Sequence, residues 1–230
     1  MRKIVDLSVT LENGMMYYPG DPVPEISPAL TLEKDGCRVT NLAIGSHTGT
    51  HMDAPSHFVK EGKTIEQIAL SKCMGKAAVI KLTNLEPCHK ITAEDIKEQL
   101  PKNGKVQIIL FHTDWTEKYG TKVFYQHPYL SKEAAELLVS LGISVVGVDM
   151  LNVDHTCLEE EMYTEESTEA HQVLLGNDVL IVENLTNLGA IDFVEPYVVF
   201  TPLKIKGADG SPVRALAFPA KLGEISNMEE

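Results

Sequence analysis

The sequence predicts an α/β fold: a single strand-rich domain over residues 1–230, with mixed sheets packed against a few helices. Three observations support this prediction. Alternating or continuous apolar runs, which are typical of half-buried and buried strands, recur along the chain. One predicted helix ends at a glycine and leads directly into a buried strand, and this strand–helix–strand order favours parallel pairing. No repeat, low-complexity tract or linker divides the chain, whose length fits one large domain.

The predicted strands fall into two groups. Alternation of apolar and polar residues indicates half-buried strands near the N-terminus, on either side of a loop rich in Gly and Pro, and continuous apolar runs indicate buried strands later on. In order, we predict strands over residues 3–10, 38–46, 76–82, 106–113, 143–149, 179–183, 198–205 and 211–218.

Two helices lie among these strands. Residues 91–100 have Thr92 as a plausible N-cap and acidic residues in the first turn. Residues 131–142 end at Gly142, a residue that commonly terminates helices. The acidic stretch 157–167 predicts an exposed loop.

Charge and composition limit the possible partners. Asp and Glu number 33 against 20 Lys and Arg, which gives a formal net charge of −13, so no nucleic-acid partner is expected. The first residues lack the apolar core of a secretory signal, and no run approaches the ~18 apolar residues of a membrane span. The four cysteines are widely spaced and are expected to be reduced thiols. Together these features predict a cytoplasmic protein.

Residues 47–57 have the sequence H-T-G-T-H-M-D-A-P-S-H and contain three of the eight histidines. A single histidine is more often a surface or hydrogen-bonded core residue than a ligand. Three histidines and Asp53 within eleven residues are a different pattern. Imidazole and carboxylate are the standard ligands of zinc and similar divalent ions.

The spacing of these side chains requires a bent chain. The Thr, Gly and Pro residues of the run are poor residues for a helix interior, so we expect a strand-like segment. An ideal strand would separate His47 from His51 by roughly 13 Å, at ~3.3 Å per residue. Gly49 lies midway and can adopt backbone angles that other residues avoid. We therefore predict a bend at Gly49 that brings His47, His51 and Asp53 to one metal ion.

His57 has two possible roles, as a fourth ligand or as a free general acid and base, since the pKa of an unperturbed imidazole is near neutral. A second ion needs donors from elsewhere, and the candidates are Asp149, Asp154, His155, His171 and Glu183. A buried carboxylate at a strand end is costly unless it is paired or on a metal, which favours Asp149 and Glu183, with a cap or turn role equally open for Asp149. We expect a structural position for His112 and loop positions for His89 and His127.

The histidine run resembles the signature of the cyclase family of metal-dependent hydrolases, whose best-known members are the bacterial kynurenine formamidases, or arylformamidases. The signature is H-x-G-T-H-x-D-x-P-x-H, and residues 47–57 match every fixed position. The similarity runs almost end to end and implies a swivelling β/β/α, cyclase-like architecture. Further matching stretches are Y-P-G-D at 18–21, Y-L-S-K-E-A-A-E-L-L at 129–138, G-V-D at 147–149, T-E-A-H at 168–171, and P-L-K and S-P-V-R-A within 202–215.

The resemblance implies a centre of two divalent metal ions per subunit. His47, His51 and Asp53 would bind the first ion, with Asp53 bridging to the second. His171 would bind the second ion, and Glu183 would bridge both. Zinc is the first choice of metal and manganese the alternative, because nitrogen and oxygen donors suit both.

Hydrolysis of a small-molecule amide is the activity that the resemblance implies, with His57 as the catalytic proton donor and acceptor. The leading candidate is N-formylkynurenine, cleaved to kynurenine and formate in tryptophan catabolism, and an isatin-type cyclic amide is the alternative. Two other classes stay open: a metal-dependent lyase or cyclase acting on a small carbonyl compound, and a metal-binding protein without catalysis.

One departure from the family concerns the substrate. Formamidases of this family have a Trp before P-G-D that stacks on the aromatic substrate, whereas this chain has Tyr18, preceded by Tyr17. Tyrosine can also stack, so both tyrosines are predicted to bind the substrate. The acidic stretch 157–167 is longer than the formamidase segment. The resemblance also implies a homo-oligomer, a dimer or a tetramer, in which the loop at 17–24 can reach a neighbour's site.

Overall fold

The computed structural model describes residues 3–101, 106–156 and 166–220. The strands are β1 (Val5–Asp6), β2 (Glu25–Leu30), β3 (Val39–Ala43), β4 (His51–Asp53), β5 (Met74–Lys81), β6 (Lys90–Ile91), β7 (Ile108–His112), β8 (Tyr129–Leu130), β9 (Val145–Val148), β10 (Leu180–Glu183), β11 (Pro196–Pro202) and β12 (Gly210–Pro219). The helices are α1 (Leu32–Asp35), α2 (Ala93–Ile96), α3 (Lys132–Ser140) and α4 (Glu169–Gly176).

Seven strands form a barrel-like mixed sheet in the order β12, β11, β5, β7, β9, β10, β4, and β4 closes it by pairing with β12 as well as with β10. Neighbouring pairs from β5 through β7 and β9 to β10 are parallel, and the remaining pairs of the ring are antiparallel. β1 pairs with the far end of β12. This architecture confirms the predicted strand-rich α/β fold with mixed pairing.

Side chains alternate across the strands into two cores, because successive residues of a strand point to opposite faces. Every strand of the ring contributes to the inner core, for example Met52, Ala77, Leu110, Val145, Val182, Phe200 and Ala215. The opposite face packs against the helices through residues such as Ile109, Val146 and Ile181. The metal-ligand candidates of β4 and β10 lie on this second, helix-covered face.

The predicted parallel pair is confirmed, since β7 and β9 pair in parallel on either side of α3. Gly142 follows the end of α3 with a φ of 72°, a conformation that glycine adopts without strain. Thr92 accepts a hydrogen bond from the backbone of Asp95 and caps α2, as predicted, but α2 is only one turn long rather than the ten residues expected.

Two predictions at the N-terminal end need correction. The strand predicted over 3–10 is shorter: it pairs with β12 at Val5–Asp6 and makes an isolated bridge from Ser8 to Leu185, after which the Val9 N–H donates to Thr50 Oγ1 at 2.9 Å. β3 is the predicted strand near residue 40, yet it pairs with β2, which was not predicted, in a two-stranded hairpin. Most residues of this hairpin are exposed, so β3 is not the half-buried strand that its alternation predicts, and β2 has no buried face to impose a periodicity.

Most of the predicted acidic loop at 157–167 lies outside the described residues, and residue 166 begins a 3-10 turn that leads into α4. Within the described part of the chain, no helix is long and apolar enough to cross a membrane.

Candidate metal centre

The short strand β4 places two of the predicted ligands on one face. His51 and Asp53 are two residues apart and point the same way, whereas Met52 points into the inner core. Across the antiparallel pair, Glu183 of β10 lies directly opposite His51. Directly opposed residues have Cβ atoms about 5 Å apart, so this register brings the two side chains together. His51 Nε2 is 3.4 Å from Glu183 Oε2 and 3.3 Å from Asp53 Oδ1.

His47 reaches the same point because the chain bends at Gly49, as predicted. Gly49 has a φ of 66°, and a Cβ there would lie 2.6 Å from Leu11 Cδ2. The segment before His51 is turn and bend rather than strand-like, which corrects that part of the prediction. His47 Nδ1 lies 2.7 Å from Asp53 Oδ1. Gly210, paired with Asp53, leaves the space that the His47 ring occupies.

His171 approaches from α4 on the helix-covered side. Its Nε2 is 3.4 Å from Asp53 Oδ2 and 3.5 Å from Glu183 Oε1. Its other nitrogen, Nδ1, lies 2.8 Å from Asp154 Oδ2, and the Asp154 carboxylate also accepts the backbone N–H groups of Ala170 and His171. Asp154 was a candidate ligand, but it stands behind His171 and fixes the ring and the start of α4.

The polar atoms at the middle of this cluster lack hydrogen-bond partners. Among the described residues, His51 Nε2 and Asp53 Oδ2 are buried without one. His51 Nδ1 donates to the Gly49 carbonyl at 2.8 Å, which leaves Nε2 to face the carboxylates. An unpaired buried polar atom is costly, so two of them in one cluster indicate a missing partner.

The charges of the cluster also favour the binding of a cation. Burial opposes a charge on His47, but the Asp53 carboxylate and the hydrogen bonds to Asp209 and Asp53 raise its pKa to about 9. Burial likewise opposes a charge on His171, but its bonds to Asp154 and Asp53 raise its pKa to about 10. Against the desolvation of burial, His47 and His51 hold the pKa of Asp53 well below its ordinary value. Protons on the histidines thus compensate buried carboxylates, a task that a metal ion can take over.

The donor set fits a divalent ion. Two ligand atoms that are each about 2.1 Å from a tetrahedral ion lie about 3.4 Å apart, and the four His Nε2 to carboxylate distances around His51 and His171 are 3.3–3.5 Å. Two groups of possible ligand atoms are compact enough to hold an ion: His51, Asp53 and Glu183, which are all buried, and His47, Asp53 and His57. Asp53 belongs to both groups.

His57 lies at the edge of the cluster, at the end of a 3-10 turn over Pro55–His57 that follows β4. Its ring stacks on that of His47 with 4.0 Å between centroids, and its side chain is 27% exposed. Its Nδ1 is 3.3 Å from Asp209 Oδ2. Of the three histidines of the run, it has the most exposed side chain, against 14% for His47 and 3% for His51.

Asp209 was missed from the sequence. It belongs to the turn G-A-D-G at 207–210, where an acid reads as an ordinary turn residue. Only the pairing of β12 with β4 brings it to the histidines, and that register cannot be read from spacing along the chain.

The cluster opens into a pocket with a partly aromatic wall. Besides the histidines and Glu183, the wall contains Tyr18, Asp21, Phe58, Leu151, Asn152 and Asn184. Tyr18 therefore lines the pocket into which the histidine cluster opens. Tyr17 is not among these wall residues, and its carbonyl accepts a hydrogen bond from Tyr125 Oη at 3.4 Å.

Asp149 and two histidines that were expected outside the centre lie in hydrogen-bonded positions of their own. Asp149 accepts bonds from the backbone and hydroxyl of Thr113, and burial raises its pKa to about 6, which matches the turn role left open for it. His112 pairs with Asp114 at 2.6 Å, in the structural position expected. His127 lies in a loop, as expected, but is buried between Thr156 and the Pro128 carbonyl, and burial lowers its pKa to about 4.

Matches to known proteins extend over most of this chain. The family model described as "Putative cyclase" matches residues 5–155. The kynurenine formamidase of Geobacillus thermodenitrificans is 30% identical over 219 residues, which is 94% of this chain and 97% of that protein. A solved potential metal-dependent hydrolase with cyclase activity is 27% identical, has a TM-score of 0.75, and covers 95% of this chain and 98% of its own. Isatin hydrolase A from Labrenzia aggregata has a TM-score of 0.82 over 94% of this chain and 93% of its own; at 24% identity, that likeness concerns the fold alone.

Proposed function

Because this chain belongs to the cyclase family of metal-dependent hydrolases, we propose that it hydrolyses a small amide, with N-formylkynurenine, cleaved to kynurenine and formate, as the leading substrate. The observation that carries the proposal is the convergence of His51, Asp53, His171 and Glu183 around buried atoms without partners, beside the more open His57. The kynurenine formamidase relatives support the substrate class.

Two divalent ions per subunit are part of the proposal. His47, His51 and Asp53 would hold one ion, His171 would hold the other, and Asp53 and Glu183 would be shared, since each carboxylate lies between two histidines. When bound, such ions lower the pKa of water and polarise a carbonyl group. Zinc is the first choice and manganese the alternative for these nitrogen and oxygen donors.

His57 is the proposed proton-transfer group. It lines the pocket, and its Nδ1 faces Asp209, so that Nε2 is the nitrogen left for the substrate. In amide hydrolysis, His57 would take a proton from the attacking water and deliver one to the nitrogen of the leaving amine. A side chain held rigidly inside the metal cluster could not transfer protons in this way. The partial exposure of the His57 side chain therefore supports the role.

The aromatic wall supports an aryl substrate. Tyr18 and Phe58 line the pocket together with Leu151, which gives apolar surface on which a ring can pack. A cyclic aryl amide of the isatin type is the second candidate, because Tyr18 is smaller than the Trp of the formamidases and the pocket must differ there. Tyr17 does not line the pocket, so we assign stacking on the substrate ring to Tyr18.

A homo-oligomer is also proposed. The hairpin of β2 and β3, with α1 at its tip, exposes four large apolar side chains: Leu30, Leu32, Val39 and Leu42. Scattered apolar residues are ordinary on a surface, but a group on one projecting hairpin is typical of an interaction site, and we assign it to a second copy of this chain. A cytoplasmic location is proposed as well, from the free thiols of Cys37, Cys73 and Cys88.

The test combines metal analysis with a substrate screen. The metal content of the purified protein is measured, and hydrolysis of N-formylkynurenine, isatin and simple aryl formamides is then assayed before and after chelation. We expect activity that disappears with the metal and returns with zinc or manganese. Full activity after exhaustive chelation would refute the proposal. Reaction in H₂¹⁸O distinguishes hydrolysis from a lyase or cyclase reaction, because only hydrolysis places the label in the product acid.

A further inference from the structure

One carboxylate oxygen contacts both His47 and His57. Asp209 Oδ2 lies 3.0 Å from His47 Nε2 and 3.3 Å from His57 Nδ1. The two imidazole rings stack with an angle of 28° between their planes. The other oxygen, Oδ1, accepts a hydrogen bond from Ser46 Oγ at 2.9 Å. The carboxylate is thus held by a third group while it faces the two rings.

The backbone places Asp209 there independently of its side chain. The Asp209 carbonyl accepts the N–H of Ala54 at 2.9 Å, and the next residue, Gly210, pairs with Asp53. The turn that contains His57 begins at Pro55, immediately after this ladder. The register of β12 on β4 therefore fixes the distance between Asp209 and His57.

Asp209 stands outside the proposed metal cluster. The His47 ring lies between it and Asp53, with Nδ1 directed to Asp53 and Nε2 to Asp209. A carboxylate in this place orients a ligand histidine from behind and raises its basicity. At His57, the Asp209 carboxylate faces Nδ1, and a carboxylate can only accept, so it favours the tautomer that carries the proton on Nδ1 and leaves Nε2 as the basic nitrogen.

We propose that Asp209 is a positioning residue that holds His57 in its Nδ1–H tautomer with Nε2 directed to the substrate, and that orients His47 through the same oxygen. The inference rests on the proposed function, because His57 is the proton-transfer group of that function. It adds Asp209, from the turn at 207–210, to a site otherwise built from the histidine run, α4 and β10.

The first test is kinetic and uses Asp209→Asn at saturating zinc. An Asn can present its NH₂ group to the ring and favour the other tautomer, so we expect kcat to fall about 10- to 100-fold, the usual range for partners of ligand histidines, with little change in KM. In a His57→Ala background, Asp209→Asn should cause a clearly smaller further loss of kcat, because only the contact of Asp209 with His47 then remains. Asp192→Asn, which changes an exposed Asp paired with Lys3, is the matched control and should leave kcat unchanged. A wild-type kcat in Asp209→Asn would overturn the inference.

The second test needs no substrate. Nitrogen-15 NMR of the zinc-loaded, histidine-labelled protein reports which ring nitrogen carries the proton, and the signals lost in His57→Ala identify His57. We expect the Nδ1–H tautomer in the wild type and a shift towards Nε2–H in Asp209→Asn. If Asp209→Asn does not fold, Ser46→Ala removes one bond to the carboxylate and should give a smaller shift in the same direction. An unchanged His57 tautomer overturns the inference, whereas a wild type that hydrolyses none of the amides overturns only the proposed function.

Discussion

His51 and Glu183 face each other across the antiparallel pair of β4 and β10, with 3.4 Å between His51 Nε2 and Glu183 Oε2. Residues that are far apart in sequence thereby become directly opposed partners in one sheet. Both side chains are nearly inaccessible to solvent, and the distance between them is longer than that of an ordinary hydrogen bond. This pair is where the candidate centre can be tested most directly.

Replacing Glu183 by Gln should weaken metal binding. The change keeps the shape of the side chain but removes its charge and one ligand oxygen. At a zinc concentration about 100-fold above Kd, the wild type gains about 2.7 kcal/mol of stability, which raises the Tm by about 5–10 °C for a chain of this size. We expect Glu183→Gln to lose most of this rise and at least one equivalent of bound metal. Equal metal content in variant and wild type would exclude Glu183 as a ligand.

Replacing His57 by Ala should separate catalysis from metal binding. The proposed role predicts an unchanged metal content and a kcat lower by at least ~10²-fold, the range of acid–base catalysis. Metal analysis and initial rates on the same preparation check this. His89→Ala is the control, because His89 lies far along the chain in a more exposed position. A site emptied of metal in His57→Ala would make His57 a ligand instead.

The stability of the metal-free protein should fall as the pH rises. The pKa of His47 is raised to about 9 and that of His171 to about 10, against about 6.5 in the unfolded chain. Their protonated forms therefore contribute stability that is complete below about pH 6.5 and is lost as the pH rises through 9 to 10. Zinc must displace these protons when it binds, so the affinity of the protein for zinc should increase as the pH rises over the same range. Tm measured with chelator and with zinc should diverge with pH, and parallel curves would contradict the assignment.

Replacing Gly210 by Ala should disturb His47. A Cβ there would lie 2.8 Å from His47 Cε1 and 3.0 Å from the Met52 carbonyl, so the ring or the strand must move. We expect about 1–3 kcal/mol of destabilisation and a weaker zinc affinity, measured by thermal unfolding and zinc titration. Gly176→Ala, at the end of α4 with no atom within 4 Å of the new Cβ, should be neutral or slightly stabilising. Equal zinc affinity in the two variants would refute the steric argument.

A charge on the β2–β3 hairpin should dissociate the proposed oligomer. Leu42, which is 55% exposed, becomes the centre of a contact if a second copy covers the hairpin. Leu42→Glu should then give a smaller mass in light scattering at the same concentration. Val194→Glu is the control, since Val194 is 87% exposed and lies on another loop. A wild type that is already monomeric would end this proposal.

Much of the site could be predicted because three of the proposed ligands lie close together in the sequence. His47, His51 and Asp53 lie in one short run, and Gly49 between them is the residue type that a bend requires. Periodicity also identified the buried strands and α3, where one face packs on a core. The strand–helix–strand order was enough to predict the parallel pairing of β7 and β9.

The remaining features depend on long-range register or on the absence of a core. Asp209 meets His57 only because β12 pairs with β4, and an acid in a turn carries no signal of that pairing. β2 was missed because an exposed strand has no buried face to impose alternation. The ranking of His171 and Glu183 above Asp149 came from the family resemblance, since residue chemistry alone left these candidates open.

β4 is the seam at which the seven-stranded ring closes, and its three residues carry two of the proposed ligands. Closing the seam pairs residues 51–53 with residues 181–183 and 210–212, contacts whose long separation in sequence carries a loop-closure entropy. The complete donor set therefore does not exist in a partly folded chain. We therefore expect tight metal binding only after folding, since an ion that arrives early would meet the histidine run without the carboxylate of β10.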